Sequence, residues 1–332
     1  MHLPDRGNGS PAAAPAGIFM QAPAARSRLL ALAAAAERQL ASPCSTHAPV
    51  HSTTFISDGA RIHNVVTSST AAKAQRIFEQ VKEDSLYIEK YWHPMRSGTL
   101  RRTNTLLASG KEFSAPPSII PMIRLSQKYA RLSGGKYDAA RARYLQQWGY
   151  YSGALSTRGG EAELQATALE ALQPPPSSAD VQIADFRLQS DNPNVMFDFG
   201  LLAKGYSLEM FAKSLRENGV YNAMINIGGD YKVIGTRSGI PWSVAIPRSD
   251  NGGVLATIAV QKDEAVMTLG SHGTQAGGGS SDYPVFDPAT RAPVEHTAAV
   301  TVVHKDAALA SAAAEALFVA GAAQWRQTAR AM

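Results

Sequence analysis

Two glycine-centred segments, close together in the chain, hold residue types that suit a phosphate. Phe197-Asp198-Phe199-Gly200-Leu201-Leu202-Ala203-Lys204-Gly205-Tyr206 runs from an extended stretch through a glycine turn into a helical pattern. That order aims backbone N–H groups and a lysine at one point, as an anion site requires. It also reads as an ordinary strand-to-helix connection with a solvated Lys204. Asn226-Ile227-Gly228-Gly229-Asp230 lies between two strand-like stretches. It is either a hairpin turn that needs positive φ or a glycine floor for a flat ring or a diphosphate, with Asn226 and Asp230 as polar contacts. Because the two turns flank one amphipathic helix, they weigh more together than apart. Ser133-Gly134-Gly135-Lys136-Tyr137-Asp138 is a third glycine turn with polar flanks.

Other chemistries lack their residues. There is no phosphate loop ending in Gly-Lys-Ser/Thr and no dinucleotide-fold glycine spacing after a first strand. No Gly-x-Ser-x-Gly elbow supports a serine hydrolase, and the eight histidines include no metal-binding pair at helical spacing. The single cysteine, Cys44, excludes an internal disulfide framework and a Cys-rich zinc site. The net charge is +5 and the pI about 9.3, yet the 32 basic residues are scattered. That pattern gives a mildly basic surface tolerant of anions and no nucleic-acid interface.

The elements that must position these residues follow from composition and periodicity. With 332 residues, 45% of them apolar, the chain can bury one large core or two modest ones. Residues 1–50 are rich in Ala, Pro, Ser and Gly and read as a leader or disordered arm; residues 51–332 form the folded domain. Within the arm, Arg26 and Arg28 precede the apolar stretch Leu29 to Ala36, and Leu40-Ala41-Ser42-Pro43-Cys44 loosely echoes an exported lipoprotein leader. Glu37-Arg38-Gln39 interrupts that run and Pro43 sits where a small residue belongs, so export stays open. No apolar run approaches the roughly 18 residues of a membrane-spanning helix.

Ala74, Phe78, Val81, Ser85, Ile88 and Trp92 keep helical spacing up to Pro94, and a second helix is expected over about 118–132. Strands are expected over 181–188 and 195–199, then a helix with Leu208, Phe211 and Leu215 on one face and Gly219 as its C-terminal cap. Further strands follow at 224–227, 231–234, 242–246 and 254–260, and the chain closes on an Ala-rich helix over about 306–321 and a short one. Helices bracketing strands joined by short turns give an α+β fold with a largely antiparallel sheet.

In this order the segments resemble the ApbE family of FAD:protein FMN transferases over nearly all of residues 70–332. The resemblance is carried by Tyr91-Trp92-His93-Pro94 with Thr103-Asn104, by Ser133 to Asp138 through Trp148-Gly149, and by Asp198-Phe199-Gly200. It continues through Ala203 to Tyr206, Asn226 to Asp230, Thr268, Asp287-Pro288-Ala289-Thr290 and Ala316-Leu317-Phe318-Val319-Ala320-Gly321. It implies a T-fold-like architecture, FAD as substrate, Mg2+ as cofactor, FMN transfer to a Thr or Ser of an acceptor protein, and release of AMP. It also implies a periplasmic or inner-membrane-associated location, with the cytoplasm still open. Carried over residue by residue, it assigns flavin contacts to Asn104, Ser133, Gly135, Asp138, Ala203, Lys204, Gly205, Asn226, Gly228, Gly229, Asp230 and Thr268. Lys204, Asp230 and Asp287 take the catalytic roles, and the Ala203 carbonyl, Ser311 and Glu315 the metal.

The departures are specific. Ser311 and Glu315 stand where the family pattern has an Asp and a Thr one helical turn apart. They still share a helix face and offer a hydroxyl and a carboxylate, so either a shifted oxygen site for a hard cation or a lost metal site is consistent with them. Pro284 replaces a histidine and removes any proton-transfer group there. Arg291 and Leu201 replace glycines, Leu269 a serine, and Glu209 an aspartate. Two readings therefore stand: an active transferase, or a weakened relative that binds FAD without transferring FMN.

Overall fold

The computed structural model describes residues 18–21, 49–57, 60–67, 70–152, 172–249, 253–260, 263–270 and 285–332. Cys44, Pro284 and the leader-like stretch 26–44 lie outside them.

A seven-stranded antiparallel sheet organises the chain. Its strands are β1 (Ile18–Gln21), β2 (Val50–Ser57), β3 (Ala60–Thr67), β7 (Ala223–Ile227), β8 (Asp230–Ile234), β11 (Ala265–Gly270) and β12 (Ala299–His304), in the order β1-β12-β11-β8-β7-β3-β2. The short strand β1, within the stretch expected as an arm, pairs with β12 from Ile18 opposite Val302 to Gln21 opposite Ala299. Between β8 and β11 in the chain, β9 (Trp242–Pro247) and β10 (Val254–Val260) make a separate hairpin. A third small sheet joins β4 (Phe113–Ser114), β5 (Val181–Ala184) and β6 (Arg187–Ser190).

Because side chains alternate along a strand, the large sheet has two different faces. Ile225, Ile227, Ile234, Met267, Val300 and Val302 pack against helices α1 (Ala71–Tyr91), α5 (Gly200–Glu217) and α6 (Ala307–Ala331). The alternate residues Val233, Val266 and Val303 pack against Trp242, Val244 and Val260 of the hairpin. A further core lies between α5, α6, α2 (Thr99–Leu107) and α3 (Ile120–Leu132), and includes Leu100, Ile123, Phe197, Leu202 and Ala312. Near it sits the short helix α4 (Ala142–Gln147). The expected α+β architecture with flanking helices is the observed one.

Several local expectations need correction. The stretch 181–188 is a hairpin, reversed at Asp185 with φ 50°, and not one strand. The stretch 195–199 is extended but joins no sheet: Met196 N–H donates to Ala140 O, Asp198 N–H to Ala139 O, and Phe197 N–H to the Asn104 side chain. Val195, Met196, Phe197 and Phe199 are all buried, so the run has the apolar content of a buried strand while its hydrogen bonds go to a loop and a side chain. Helix α6 is long and apolar enough, by length and composition, to cross a membrane, contrary to the sequence reading; 72% of that window is buried inside this fold, which is what a core helix requires. It kinks at Gly321, φ 58°, as the expected helix and short follower imply. Gly219, φ 67°, ends α5 with its N–H on Arg216 O while Val220 N–H reaches back to Leu215 O, the cap foreseen for it.

Candidate functional site

The joint between α5 and β8 gathers the charged groups. Asp230 opens β8 straight after the turn Gly228-Gly229, whose φ values of 61° and 96° only glycine adopts without strain. Asn226 Oδ1 accepts the N–H of Gly229 at 2.8 Å, so the asparagine shapes the turn. The β8–β11 ladder stops at Tyr231 opposite Val266. Beyond it the Asp230 carboxylate takes the N–H of Thr268 at 2.8 Å, and Thr268 Oγ1 meets Thr301 Oγ1 at 3.0 Å.

Lys204, one turn into α5, brings Nζ to 3.6 Å from Asp230 Oδ2. A Cβ at Gly228 would lie 3.8 Å from the same Nζ, so the ammonium stands over the glycine turn. Its side chain is 36% exposed and that of Asp230 3%. Burial raises the Asp230 carboxyl above its usual range, opposed by Lys204 and by the Thr268 N–H. One wall of the site is thus a buried acid, and the mouth is a cation that an anionic ligand can reach. Gly205 lets α5 approach α6: a Cβ there would overlap the Ser311 hydroxyl and the Ala307 carbonyl.

The sequence reading aimed an anion at the N-terminus of α5. The structure corrects that: Asp198 Oδ1 accepts the Gly200 N–H at 2.9 Å, so this helix end already holds a carboxylate. Asp198 Oδ2 accepts the Tyr151 hydroxyl at 2.7 Å; burial, then Asp198, push that phenol well above its usual range.

A second concavity is lined by Tyr137, Asp138, Arg141, Asp198, Phe286 and Glu315. Asp138 is saturated, accepting from Ser177 Oγ and from the N–H groups of Ser178 and Ala140. Glu315, half-buried, has its carboxyl pushed up to about 8, first by burial; Arg141 opposes this, and Asp198 and Asp138 add to it. Three carboxyl groups face one guanidinium here, so ionisation of Glu315 leaves the cavity short of positive charge.

The remaining expected residues serve the frame. Asn104 spends its amide on Phe197, donating to the carbonyl at 2.9 Å and accepting the N–H at 2.9 Å. Ser133 accepts the Tyr137 N–H at 3.0 Å within the Gly134-Gly135 turn that ends α3. Asp287 accepts the Ala289 N–H at 2.8 Å in its own turn, and among the described residues no hydrogen bond or ion pair joins it to Lys204. Ser311 donates to the Ala307 carbonyl at 2.9 Å, is 1% exposed and does not line the cavity. The Ala203 carbonyl accepts the Ser207 hydroxyl at 2.6 Å. Among the described residues no three His, Cys, Asp or Glu side chains converge as a metal cage. Arg141, Tyr151, Asp198 and Thr301 were not singled out as site residues from sequence; only Asp198 sat inside a recognised motif.

The profile of the ApbE family matches residues 58–332. An FAD:protein FMN transferase of Rhodobacter capsulatus is 29% identical over 242 residues, which cover 73% of this chain and 46% of that protein. One from Vibrio cholerae is 32% identical over 139 residues, 40% of this chain and 41% of that protein. The chain thus matches less than half the length of either relative. Among solved structures, the flavin transferase ApbE from Vibrio cholerae superposes with a TM-score of 0.71 at 22% identity, covering 85% of this chain and 91% of that one. The ApbE protein from Thermotoga maritima gives 0.72 at 24%, covering 84% and 90%. Those two likenesses concern the fold.

Proposed function

Because the chain belongs to the ApbE family, we propose that it is an FAD:protein FMN transferase whose flavin diphosphate lies against Lys204 and the Gly228-Gly229 turn. In that reaction the acceptor Thr or Ser oxygen bonds the FMN phosphorus, the diphosphate P–O bond breaks, and AMP leaves with the bridging oxygen. The observation that carries the reading is Lys204 Nζ, 3.6 Å from the buried Asp230 and above Gly228. A cation at a water-accessible mouth, backed by an acid that cannot move away, is pre-set for a charge that grows during phosphoryl transfer.

Asn104 supports this site by holding Phe197 and hence the entry to α5. Mg2+ fits the chemistry of the charge-poor cavity. A hard cation takes oxygen ligands, and Mg2+ commonly uses one or two protein carboxylates beside phosphate oxygens. Glu315 would hold it from that cavity; the Ala203 carbonyl does not line the cavity, and the bonded, buried Ser311 hydroxyl does not fit that part. When bound, the ion spreads the negative charge of the diphosphate. The acceptor is a partner protein bearing a Thr or Ser.

The test is incubation of the protein with FAD, Mg2+ and a target domain bearing an acceptor threonine. AMP release together with an FMN mass increment on that threonine is the expected result. Measurable FAD binding with neither product would sink the transferase reading.

A further inference from the structure

A second charge pair crosses the same joint with opposite polarity. Where Lys204 of the helix faces Asp230 of the strand, Glu209 of the helix faces Lys232 of the strand, Nζ to Oε1 at 2.8 Å. Asp230 and Lys232 are two apart on β8 and so share its helix-facing side. Lys204 and Glu209 lie on successive turns of α5. The lysine of this pair is sealed and the glutamate is partly open: the Lys232 side chain is 2% exposed and that of Glu209 32%, and the ammonium also donates to the carbonyls of Asp263, at 3.0 Å, and Lys305.

Glu209 does a second job. Its Oε1 accepts the N–H of Ala307 at 2.7 Å, the first residue of α6, next to the Asp306 carboxylate that accepts from Leu309 N–H. An acid at a helix N-terminus is favoured by the unpaired amides there. Arg216, two turns further along α5, holds Asp263 Oδ1 at 2.6 Å. The network therefore ties α5, β8, the turn before β11 and the start of α6 at one point. That point lies beside the contact where Gly205 has no room for a Cβ against Ala307 and Ser311.

We propose that the Glu209–Lys232 pair is a positioning element that sets the register of α5 on β8, and through it the placement of Lys204 over Asp230 and Gly228. Apolar packing alone fixes how deep a helix sits; it resists sliding along the strand weakly, because side chains of similar size can exchange neighbours. A buried ammonium bonded to three fixed acceptors has one satisfied register, and every slip leaves its charge unpaired. The residues that would contact the flavin lie on both sides of this joint, so a slip between α5 and β8 moves Lys204 away from the glycine turn.

The proposal rests on the transferase reading for its relevance to FAD, and its test is built to stand apart from it. The full chain carrying Glu209→Met with Lys232→Met removes both charges together, a change that a fold often accepts when volume is kept. Two quantities are measured: FAD affinity by flavin fluorescence, and titration of Asp230 by NMR of 13C-labelled aspartate, assigned by its loss in Asp230→Asn. The expected result is about a ten-fold or greater loss of FAD affinity with Asp230 titrating at higher pH, because Lys204 no longer faces it. Glu209→Gln keeps an acceptor for Lys232 and Ala307 and is expected to keep FAD affinity near the parent's, with Asp230 titrating no higher than in the parent.

Should the double variant not fold, Glu209→Ala serves. Deleting that negative charge acts directly to lower the Asp230 titration, whereas a displaced Lys204 raises it, so the sign separates the two. A folded variant in which Asp230 titrates unchanged or lower overturns the positioning role. Wild-type protein that binds no FAD overturns the transferase reading instead, and the titration arm then decides the positioning role by itself.

Discussion

Lys204 Nζ stands 3.6 Å from Asp230 Oδ2, with the aspartate sealed and further pinned by the Thr268 N–H. The pair is asymmetric: the acid belongs to the frame and the cation to the ligand.

Substitution of Lys204 separates those roles. Lys204 itself is 36% exposed, but Lys204→Met leaves the sealed Asp230 without its cation, and the expected loss of stability is about 1–3 kcal/mol. A charge-assisted hydrogen bond to phosphate contributes about 1.5–3 kcal/mol, so FAD affinity falls by roughly 10- to 150-fold. Isothermal calorimetry with FAD, beside urea denaturation, checks both halves. A variant that binds FAD as tightly as the parent removes Lys204 from the site.

Gly205→Ala probes the packing beneath. The added methyl meets the Ser311 hydroxyl and the Ala307 carbonyl, and the carbonyl, as backbone, cannot swing aside. Overpacking of this kind costs about 1–3 kcal/mol. The change is expected to lower the urea midpoint and to weaken FAD binding, because α5 must lift off α6. Adding Ser311→Ala relieves one of the two collisions and is expected to return only part of the loss.

How much of this was legible in the sequence varies with the range of the interaction. Gly219 as a cap and Gly228-Gly229 as a turn declare themselves because the need for positive φ is local. The strands Ala223–Ile227 and Asp230–Ile234 are legible as short apolar stretches set off by glycine turns, which are local signals too. The hairpin of Val50–Ser57 and Ala60–Thr67 was not singled out: its Ser, Thr and His residues dilute the apolar signal, although burial alternates along Ala60–Thr67. The stretch 195–199 imitates a strand because its apolar residues are buried while its hydrogen bonds go to Asn104 and to residues 139 and 140. A side chain 93 positions away is beyond any local pattern. Glu209 looked like a minor substitution, and Lys232 was unremarked, because a buried ion pair between a helix and a strand leaves no periodic trace.

Asn104 gives a prediction that turns on this distinction. Both ends of its amide bind the Phe197 backbone, so Asn104→Ala strands a buried N–H and a buried C=O. Each unsatisfied group costs about 1–3 kcal/mol, and chemical denaturation is expected to show a loss in the range of about 2–5 kcal/mol. A residue acting through the frame lowers the folded population more than it alters binding by the folded molecules. FAD affinity, corrected for that population, is then expected within about three-fold of the parent. A ten-fold loss at unchanged stability would instead make Asn104 a direct flavin contact.

Glu315 yields a pH-dependent prediction with a definite sign. Its carboxyl is pushed from 4.5 up to about 8 in the folded chain, so between those values the folded state holds a proton that the unfolded state has released. The stability linked to that proton is fully present below about pH 4.5 and is lost as pH rises through about 8, at up to about 1.4 kcal/mol per pH unit. Glu315→Gln cannot ionise, so its thermal midpoint is expected to fall less steeply between pH 5 and 8 and to exceed that of the parent at pH 8. Mg2+ at pH 8 is expected to raise the parent's midpoint, because a cation beside Glu315, Asp198 and Asp138 favours the ionised acid, and removal by a chelator reverses this. In Glu315→Gln the Mg2+ increment shrinks or disappears. Equal increments in the two proteins, followed by differential scanning calorimetry, would show that the ion acts elsewhere and that Glu315 is a buried acid without a cation to serve.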